Sequence, residues 1–283
     1  MITFALDTDL GTDVDDLLAL AMILGSPQLG LQAVTTVYGD TAFRARMVHR
    51  AFALAGRPAP PIAAGARETR SGRAVWWAGH EGALMADLDR EPFDESLDAT
   101  ELLRASGVVA AVGPLTNVAD ALDRPNIIEQ LVIMGGDFGS RTSEHNLKCD
   151  VTAAQAVFDT GTPALVAGID QTERVVFGQD QIEAIEASGP LGALLAAEIH
   201  QFREWLGRPD SPHDAVAVLA KVRPELFAFA TGTVRVDEAG NTSLQRQDDG
   251  PHQVVTDLDT DAVARDLVSR ICRASAALHE RPG

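Results

Sequence analysis

The sequence predicts a single α/β domain over residues 1–283, built on an open, mostly parallel sheet flanked by helices. Two observations carry that expectation. Short apolar or β-branched runs alternate with helical patterns through much of the chain, which is the signature of βαβ units. Unusual polar residues then fall just past the ends of the predicted strands, where open α/β sheets bind their ligands. No internal repeat, low-complexity tract or linker divides the chain, so one domain is the better reading.

Taken in order, Ile2 to Leu6 reads as a first buried strand and Asp15 to Leu24 as a helix buried on most faces. Leu31 to Val37 is β-branched and reads as a second strand, followed by a helix from about Thr41 to Ala55. The stretch Arg67 to Thr100, with Trp76, Trp77, glycines and many acids, reads as a long loop or short helices crossing the top of the sheet. Val108 to Val112 and Leu131 to Met134 read as strands, with the helix Leu115 to Leu122 between them. A helix from Val151 to Phe158 precedes a strand at Ala164 to Ala167. Beyond Gln179 the chain turns helical through Ile199, Phe202 and Trp205, and again from His213 to Lys221. Gly232 to Val236 and Thr242 to Gln245 form a predicted hairpin around Ala239-Gly240, and Asp261 to His279 one amphipathic helix.

Charge narrows the function classes. Lys plus Arg number 23 against 41 Asp plus Glu, a net of −18, and only Lys148 and Lys221 are lysines. Nucleic-acid backbones and anionic membranes both need clustered cations, so neither is an expected partner. Cys149 and Cys272 are too few for a disulfide framework, and no run reaches the roughly 18–20 apolar residues of a membrane span. The expectation is a reduced, soluble, cytoplasmic protein.

The most informative segment is Asp7-Thr8-Asp9-Leu10-Gly11-Thr12-Asp13-Val14-Asp15-Asp16, which sets five carboxylates between a buried strand and a buried helix. Asp7 and Asp9 point to one side of an extended chain, and Asp15 and Asp16 occupy the first helical turn. Singly, Asp13 fits a helix cap and Asp15 and Asp16 complement a helix dipole. Together, crowded carboxylates raise one another's pKa unless a cation neutralises them. Oxygen-only ligands select a hard ion, Ca²⁺ or Mg²⁺, rather than zinc. An EF-hand register fails because position five is Gly11 and position twelve Leu18. A haloacid dehalogenase-type phosphatase register, which wants Thr two residues after the second Asp, also meets Gly11.

Tyr38-Gly39-Asp40, Gly113-Pro114-Leu115-Thr116-Asn117, Gly135-Gly136-Asp137 and Asp170 each follow a predicted strand, so they converge on one rim. Taken one at a time, each also fits an ordinary turn. Glu144-His145-Asn146 reads as a polar loop before Asp150, which is placed to cap the next helix. In Pro212-His213-Asp214, Asp214 reads either as a cap or as a further metal ligand beside a proton-donating His213.

In this order, these motifs resemble the nucleoside hydrolase family, the calcium-dependent N-ribohydrolases, across nearly the whole chain. The resemblance implies a Rossmann-related open sheet and one Ca²⁺ held by Asp9, Asp16, Asp214 and the Thr116 carbonyl, with Asp7 close behind. It implies that Asp15, Glu144, Asn146 and Asp170 hold the ribose and that Met134 lines the pocket. Asp9 is then the base that deprotonates water and His213 the donor to the departing base, with inversion at the sugar. A homodimer or homotetramer is implied as well.

The chain departs from the family pattern at several places. Leu10 replaces a Pro, extra residues surround Asp13, and Asp40 and Asp170 stand where Asn is common. Asp13 is therefore a competitor for the metal, and Asp40 and Asp170 bear on ribose contacts and substrate preference. His213 groups the chain with members that accept inosine, uridine or cytidine, and Trp76, Trp77, His80, Phe202 and Trp205 are candidates to shape the base pocket. A non-catalytic ribose- or nucleoside-binding protein on the same fold is the second reading. With no Lys or Arg placed for a phosphate, the site is expected to accept nucleosides and repel nucleotides.

Overall fold

Ile2–Thr8 (β1) is buried from Phe4 onward and lies in the middle of the sheet, with Leu29–Thr36 (β2) on one side and Val108–Ala111 (β4) on the other. The computed structural model describes residues 1–92, 94–140 and 142–276. Ile62–Ala64 (β3) extends the sheet beyond β2, while Gln130–Met134 (β5) and Ala164–Ala167 (β6) extend it beyond β4, all in parallel. Chain order runs outward from β1 in one direction through β2 and β3, then in the other through β4 to β6. That reversal makes the β1/β4 boundary a topological switch point, and the crevice above it opens at the carboxyl ends of both strands.

Phe227–Val236 (β7), Thr242–Arg246 (β8) and His252–Leu258 (β9) complete one nine-stranded sheet in the order β3-β2-β1-β4-β5-β6-β9-β7-β8. β7 runs antiparallel to both β8 and β9, and β9 is parallel to β6. The predicted hairpin is thus present, with a longer first arm. β3 and β9 were not expected: β3 has three residues, and β9 alternates exposed and buried positions without a strong apolar run.

Asp15–Leu24 (α1) has the predicted limits, and every residue from Asp15 to Ile23 is buried. Its apolar composition on all faces is satisfied because the sheet lies on one side and His213–Val222 (α10) and Thr260–Ala276 (α11) on the other. The predicted end of α11 at His279 lies outside the described residues. Thr41–Leu54 (α2), Thr116–Leu122 (α4), Val151–Asp159 (α6), Gln179–Glu186 (α8) and Pro190–Leu206 (α9) match predicted helices. Ala99–Arg104 (α3), His145–Cys149 (α5) and Ile169–Thr172 (α7) are short and were not anticipated. Among the described residues no helix is long and apolar enough to cross a membrane.

Between β3 and α3 the chain makes its long excursion over the strand ends, with one 3-10 turn, Leu88–Arg90, among the described residues. It is tied down over the first loop: the Glu81 carboxylate accepts from Ala78 N and Gly79 N at 2.7 Å, and His80 Nε2 lies 2.7 Å from the Thr12 carbonyl.

Candidate active site

The carboxyl ends of β1 and β4 and the amino ends of α1 and α10 enclose a cavity of about 220 Å³. Asp9, Asp15, Asp16 and Asp214 line it together with Met134, Glu144, Asn146 and His213. Asp9 comes from the loop after β1, Asp15 and Asp16 from the first turn of α1, and Asp214 from the first turn of α10. Asp9 and Asp214, more than 200 positions apart in the chain, thus meet at the switch point.

Local geometry explains how the loop between β1 and α1 reaches this place. Gly11 has φ +124°, which a side chain would strain. Gly113 passes so close that a Cβ there would lie 2.6 Å from Asp9 Oδ1. Behind the loop, Arg44 of α2 is fully buried. Its Nε donates to the Tyr38 carbonyl at 2.8 Å, and its Nη1 donates to the Leu10 carbonyl at 2.8 Å and to that of Asp9. A buried guanidinium therefore fixes both loops, and its charge acts against the rise in the Asp9 pKa. Nothing in the local sequence distinguishes Arg44 from the half-buried arginines Arg46 and Arg50 on the same helix.

Two of the expected caps are corrected. Asp13 does not cap α1: the N-cap residue is Val14, and it has no side-chain bond. Asp214 does not cap α10, which starts from Pro212 without a side-chain cap. Glu144-His145-Asn146 is not a loop either. Glu144 caps the one-turn helix α5, accepting from Asn146 N at 2.6 Å and Leu147 N at 3.1 Å, and it also accepts from Gly136 N at 3.1 Å. Asn146 donates through Nδ2 to the Val112 carbonyl at 2.8 Å, which joins α5 to the end of β4. Asp150 does cap α6, accepting from Ala153 N at 3.1 Å.

Other expected site residues sit outside the cavity lining. Asp7 is fully buried behind it, with Oδ1 accepting from Thr35 Oγ1 at 2.6 Å and Asn117 Nδ2 at 2.8 Å, while Oδ2 has no partner. Thr116 opens α4 and donates its hydroxyl to Asp150 Oδ2 at 2.7 Å. Asp40 is exposed and caps α2 through Phe43 N at 3.1 Å, on a separate groove that it shares with Trp77. Asp170 accepts from Phe138 N at 3.1 Å, and its neighbour Ile169 lines the cavity instead. His80 packs against Phe202 and Trp205, with ring centroids 6.2 and 5.5 Å away. Of the aromatic candidates, Trp76 and Phe202 reach the cavity.

Thr12, Asp13, His145, Arg208 and Asp210 also line the cavity. Arg208 overturns the expectation that no Lys or Arg is placed for a phosphate. It stands exposed in the turn between α9 and α10, where the sequence shows only a solvated charge beside a glycine.

Electrostatics defines what the cavity can hold. Burial raises the pKa of Asp9, Asp15, Asp16 and Asp214, and neighbouring carboxylates raise each of them further. Partial relief comes from Arg44 and His145 at Asp9, and from the Thr8 hydroxyl, which donates to Asp16 Oδ1. Asp13, Asp15 and Asp16 bring one carboxylate oxygen each within 4.8 Å of one another. An oxygen-only, carboxylate-rich, buried set fits a hard divalent cation, which would neutralise charges that the protein's own cations leave uncompensated. His213 behaves oppositely. Burial lowers its pKa to about 4, and its Nδ1 lies 2.7 Å from the Thr172 hydroxyl.

Comparison with known proteins agrees with this architecture. The sequence profile described as inosine-uridine preferring nucleoside hydrolase matches residues 4–265. Uridine nucleosidase 1 of Arabidopsis thaliana is 30% identical over 264 residues, covering 83% of this chain and 78% of the relative. A non-specific ribonucleoside hydrolase of Klebsiella pneumoniae is 32% identical over 257 residues, covering 83% and 84%. Among solved structures, a plant nucleoside hydrolase superposes with a TM-score of 0.82 at 26% identity, covering 96% of this chain and 99% of that one. A purine-preferring ribonucleoside hydrolase from Gardnerella vaginalis shares the fold, with a TM-score of 0.82 at 24% identity over 97% and 99% of the two chains.

Proposed function

Because the chain belongs to the inosine-uridine preferring nucleoside hydrolase family, it is a nucleoside hydrolase, and we propose that its carboxylate cavity is the reaction centre, built to hold one calcium ion. The reaction is hydrolysis of a ribonucleoside to ribose and free base. The observation that carries the site assignment is the convergence of Asp9, Asp15, Asp16 and Asp214 in one buried cavity at the β1/β4 switch point.

Asp9, Asp16, Asp214 and the Thr116 carbonyl are the proposed calcium ligands, with Asp7 behind them and Asp13 able to join through the cluster it forms with Asp15 and Asp16. When bound, the ion supplies positive charge that holds these carboxylates ionised and polarises water and ribose hydroxyls. Asp9 takes the proton of the attacking water. Asp15, Glu144 and Asn146 hold the ribose. As the N-glycosidic bond stretches, positive charge develops on the sugar, and the carboxylate wall favours that charge over the neutral substrate. Attack by water with no covalent sugar intermediate inverts the anomeric carbon.

His213 is the proposed donor to the departing base. In this reading the Thr172 hydroxyl, 2.7 Å from Nδ1, is the donor, and the ring proton is on Nε2. Near neutral pH that proton is offered as a hydrogen bond from an uncharged imidazole, because burial keeps the ring neutral. Trp76 and Phe202 flank the space left for the base. A homo-oligomeric assembly, implied by the family resemblance, and a cytoplasmic setting, expected from the composition of the chain, complete the reading.

The test is a panel of ribonucleosides assayed for reducing sugar with and without a chelator. Sugar release that stops on chelation and returns with calcium supports the reading. Tight nucleoside binding without product would replace it with the non-catalytic binder.

A further inference from the structure

A second pocket of about 330 Å³ adjoins the reaction cavity and shares the rings of Trp76 and His145 with it. Arg73, Lys148, Tyr38 and Cys149 supply most of its remaining wall, and none of its lining residues is acidic. In a chain of net charge −18 that is a local inversion of the overall field.

The cations in this pocket are not neutralised. Arg73 donates to the main-chain carbonyls of Lys148 and Glu238 rather than to a carboxylate. Among the described residues neither Arg73 nor Lys148 joins an ion pair, whereas Arg50, Arg70, Arg104, Arg174, Arg223, Arg235 and Arg270 all do. His145 Nε2 lies 3.4 Å from Cys149 Sγ.

Tyr38 is held in this pocket against its backbone preference. Tyr38 has φ +68°, an uncommon conformation for an aromatic residue. It is fixed by Tyr38 N donating to the Ala66 carbonyl at 2.8 Å and by Arg44 Nε donating to the Tyr38 carbonyl. Its phenol oxygen accepts from Trp76 N at 2.8 Å, and the hydroxyl is also hydrogen-bonded to the Cys149 side chain. Strain of this kind persists where the surroundings over-determine it.

We propose that this side pocket is an anion subsite that takes a phosphate group, held by Arg73 and Lys148, with His145 as a further donor. Charge-assisted bonds from guanidinium and ammonium groups are the strong ones for such a ligand. The phosphate has two possible sources: a nucleotide whose sugar lies in the adjoining cavity, or free inorganic phosphate. The nucleotide source rests on the nucleosidase reading, and the free-phosphate source does not.

Calorimetric titration of inorganic phosphate into the full-length protein, in chelator at neutral pH, tests the site directly. Saturable one-site binding is expected, weakened about fivefold or more by Lys148→Gln and by Arg73→Gln, and unchanged by Arg208→Gln. A second arm measures uridine 5′-monophosphate as an inhibitor of uridine hydrolysis by the calcium-loaded protein. An inhibition constant that rises in Lys148→Gln, with the uridine KM unchanged, assigns the phosphate to a nucleotide. An unchanged constant alongside Lys148-dependent phosphate binding assigns it to the free ion. The proposal is overturned if neither ligand responds to Lys148→Gln and Arg73→Gln, or if Arg208→Gln abolishes phosphate binding, which would put the anion in the reaction cavity. Loss of uridine hydrolysis altogether would count against the nucleosidase reading and leave the phosphate titration to decide the site.

Discussion

Arg44 Nη1 donates to the Leu10 carbonyl oxygen at 2.8 Å from a position with no solvent exposure. One buried side chain on α2 thereby sets the path of the loop that carries Asp9. Arg44→Met keeps much of the volume and leaves the Leu10, Asp9 and Tyr38 carbonyls without their donor. Loss of hydrogen bonds from a charged donor to buried carbonyls costs about 1.5–3 kcal/mol. Denaturant unfolding of the variant is expected to show that loss, together with weakened calcium binding. A variant as stable as the parent would remove Arg44 from the account.

Asp40 provides a contrasting prediction, because the structure puts it on α2 as a cap and away from the reaction cavity. Asp40→Ala is expected to cost about 1 kcal/mol of stability, the usual worth of an N-cap. Its kcat/KM for uridine or inosine should stay within about twofold of the parent, since no transition-state contact is lost. A much larger kinetic loss with little change in thermal midpoint would return Asp40 to the ribose site.

The metal-free protein should be less stable at pH 8 than at pH 5. Burial raises Asp7 from 3.8 to about 7 and Asp210 from 3.8 to about 7, and Glu198 rises from 4.5 to about 7 by the same cause. A carboxyl with a raised folded-state pKa contributes stability that is fully present below its unfolded pKa and lost as pH climbs through the folded value. The loss therefore runs from about pH 4 to about pH 7. Thermal melts in chelator across that window measure it. Calcium affinity should follow the opposite course and fall as pH drops, because protons compete for the same carboxylates.

How much of this was legible beforehand follows from the range of the interactions. α1 was readable to the residue because Asp15 and Asp16 precede an unbroken apolar run, and the acidic cluster announced itself by density alone. Asp7 and Asp9 were both expected near a metal, yet only Asp9 enters the cavity, because the Thr35 and Asn117 side chains hold Asp7 inside the sheet. Arg44, Arg208 and the Arg73–Lys148 pair were not legible. Their roles depend on contacts or on a shared pocket wall between residues distant in sequence, and no local pattern separates them from solvated arginines and lysines. β3 and β9 were missed for a related reason: each is completed by pairing with strands already in place rather than by its own apolar content.

His213 can be separated from general damage by its leaving-group dependence. His213→Ala should lower kcat for inosine or uridine by about 10²–10⁴-fold, the usual range for a lost proton donor. 4-Nitrophenyl riboside, whose leaving group departs as a stable anion, should be much less affected. Equal losses on both substrates would mean that His213 shapes the cavity without donating to the base.

The central claim is that Asp9 is the base within a calcium-loaded carboxylate cavity. It is tested most directly by comparing uridine and inosine turnover by Asp9→Asn and the parent at saturating calcium, with bound calcium measured in the same samples. The account predicts a parent that turns over at least one of the two nucleosides. It predicts an Asp9→Asn variant that still binds calcium through Asp16 and Asp214 but loses about 10³-fold or more in kcat. A calcium-loaded Asp9→Asn protein that hydrolyses the nucleoside at the parent's rate would contradict it.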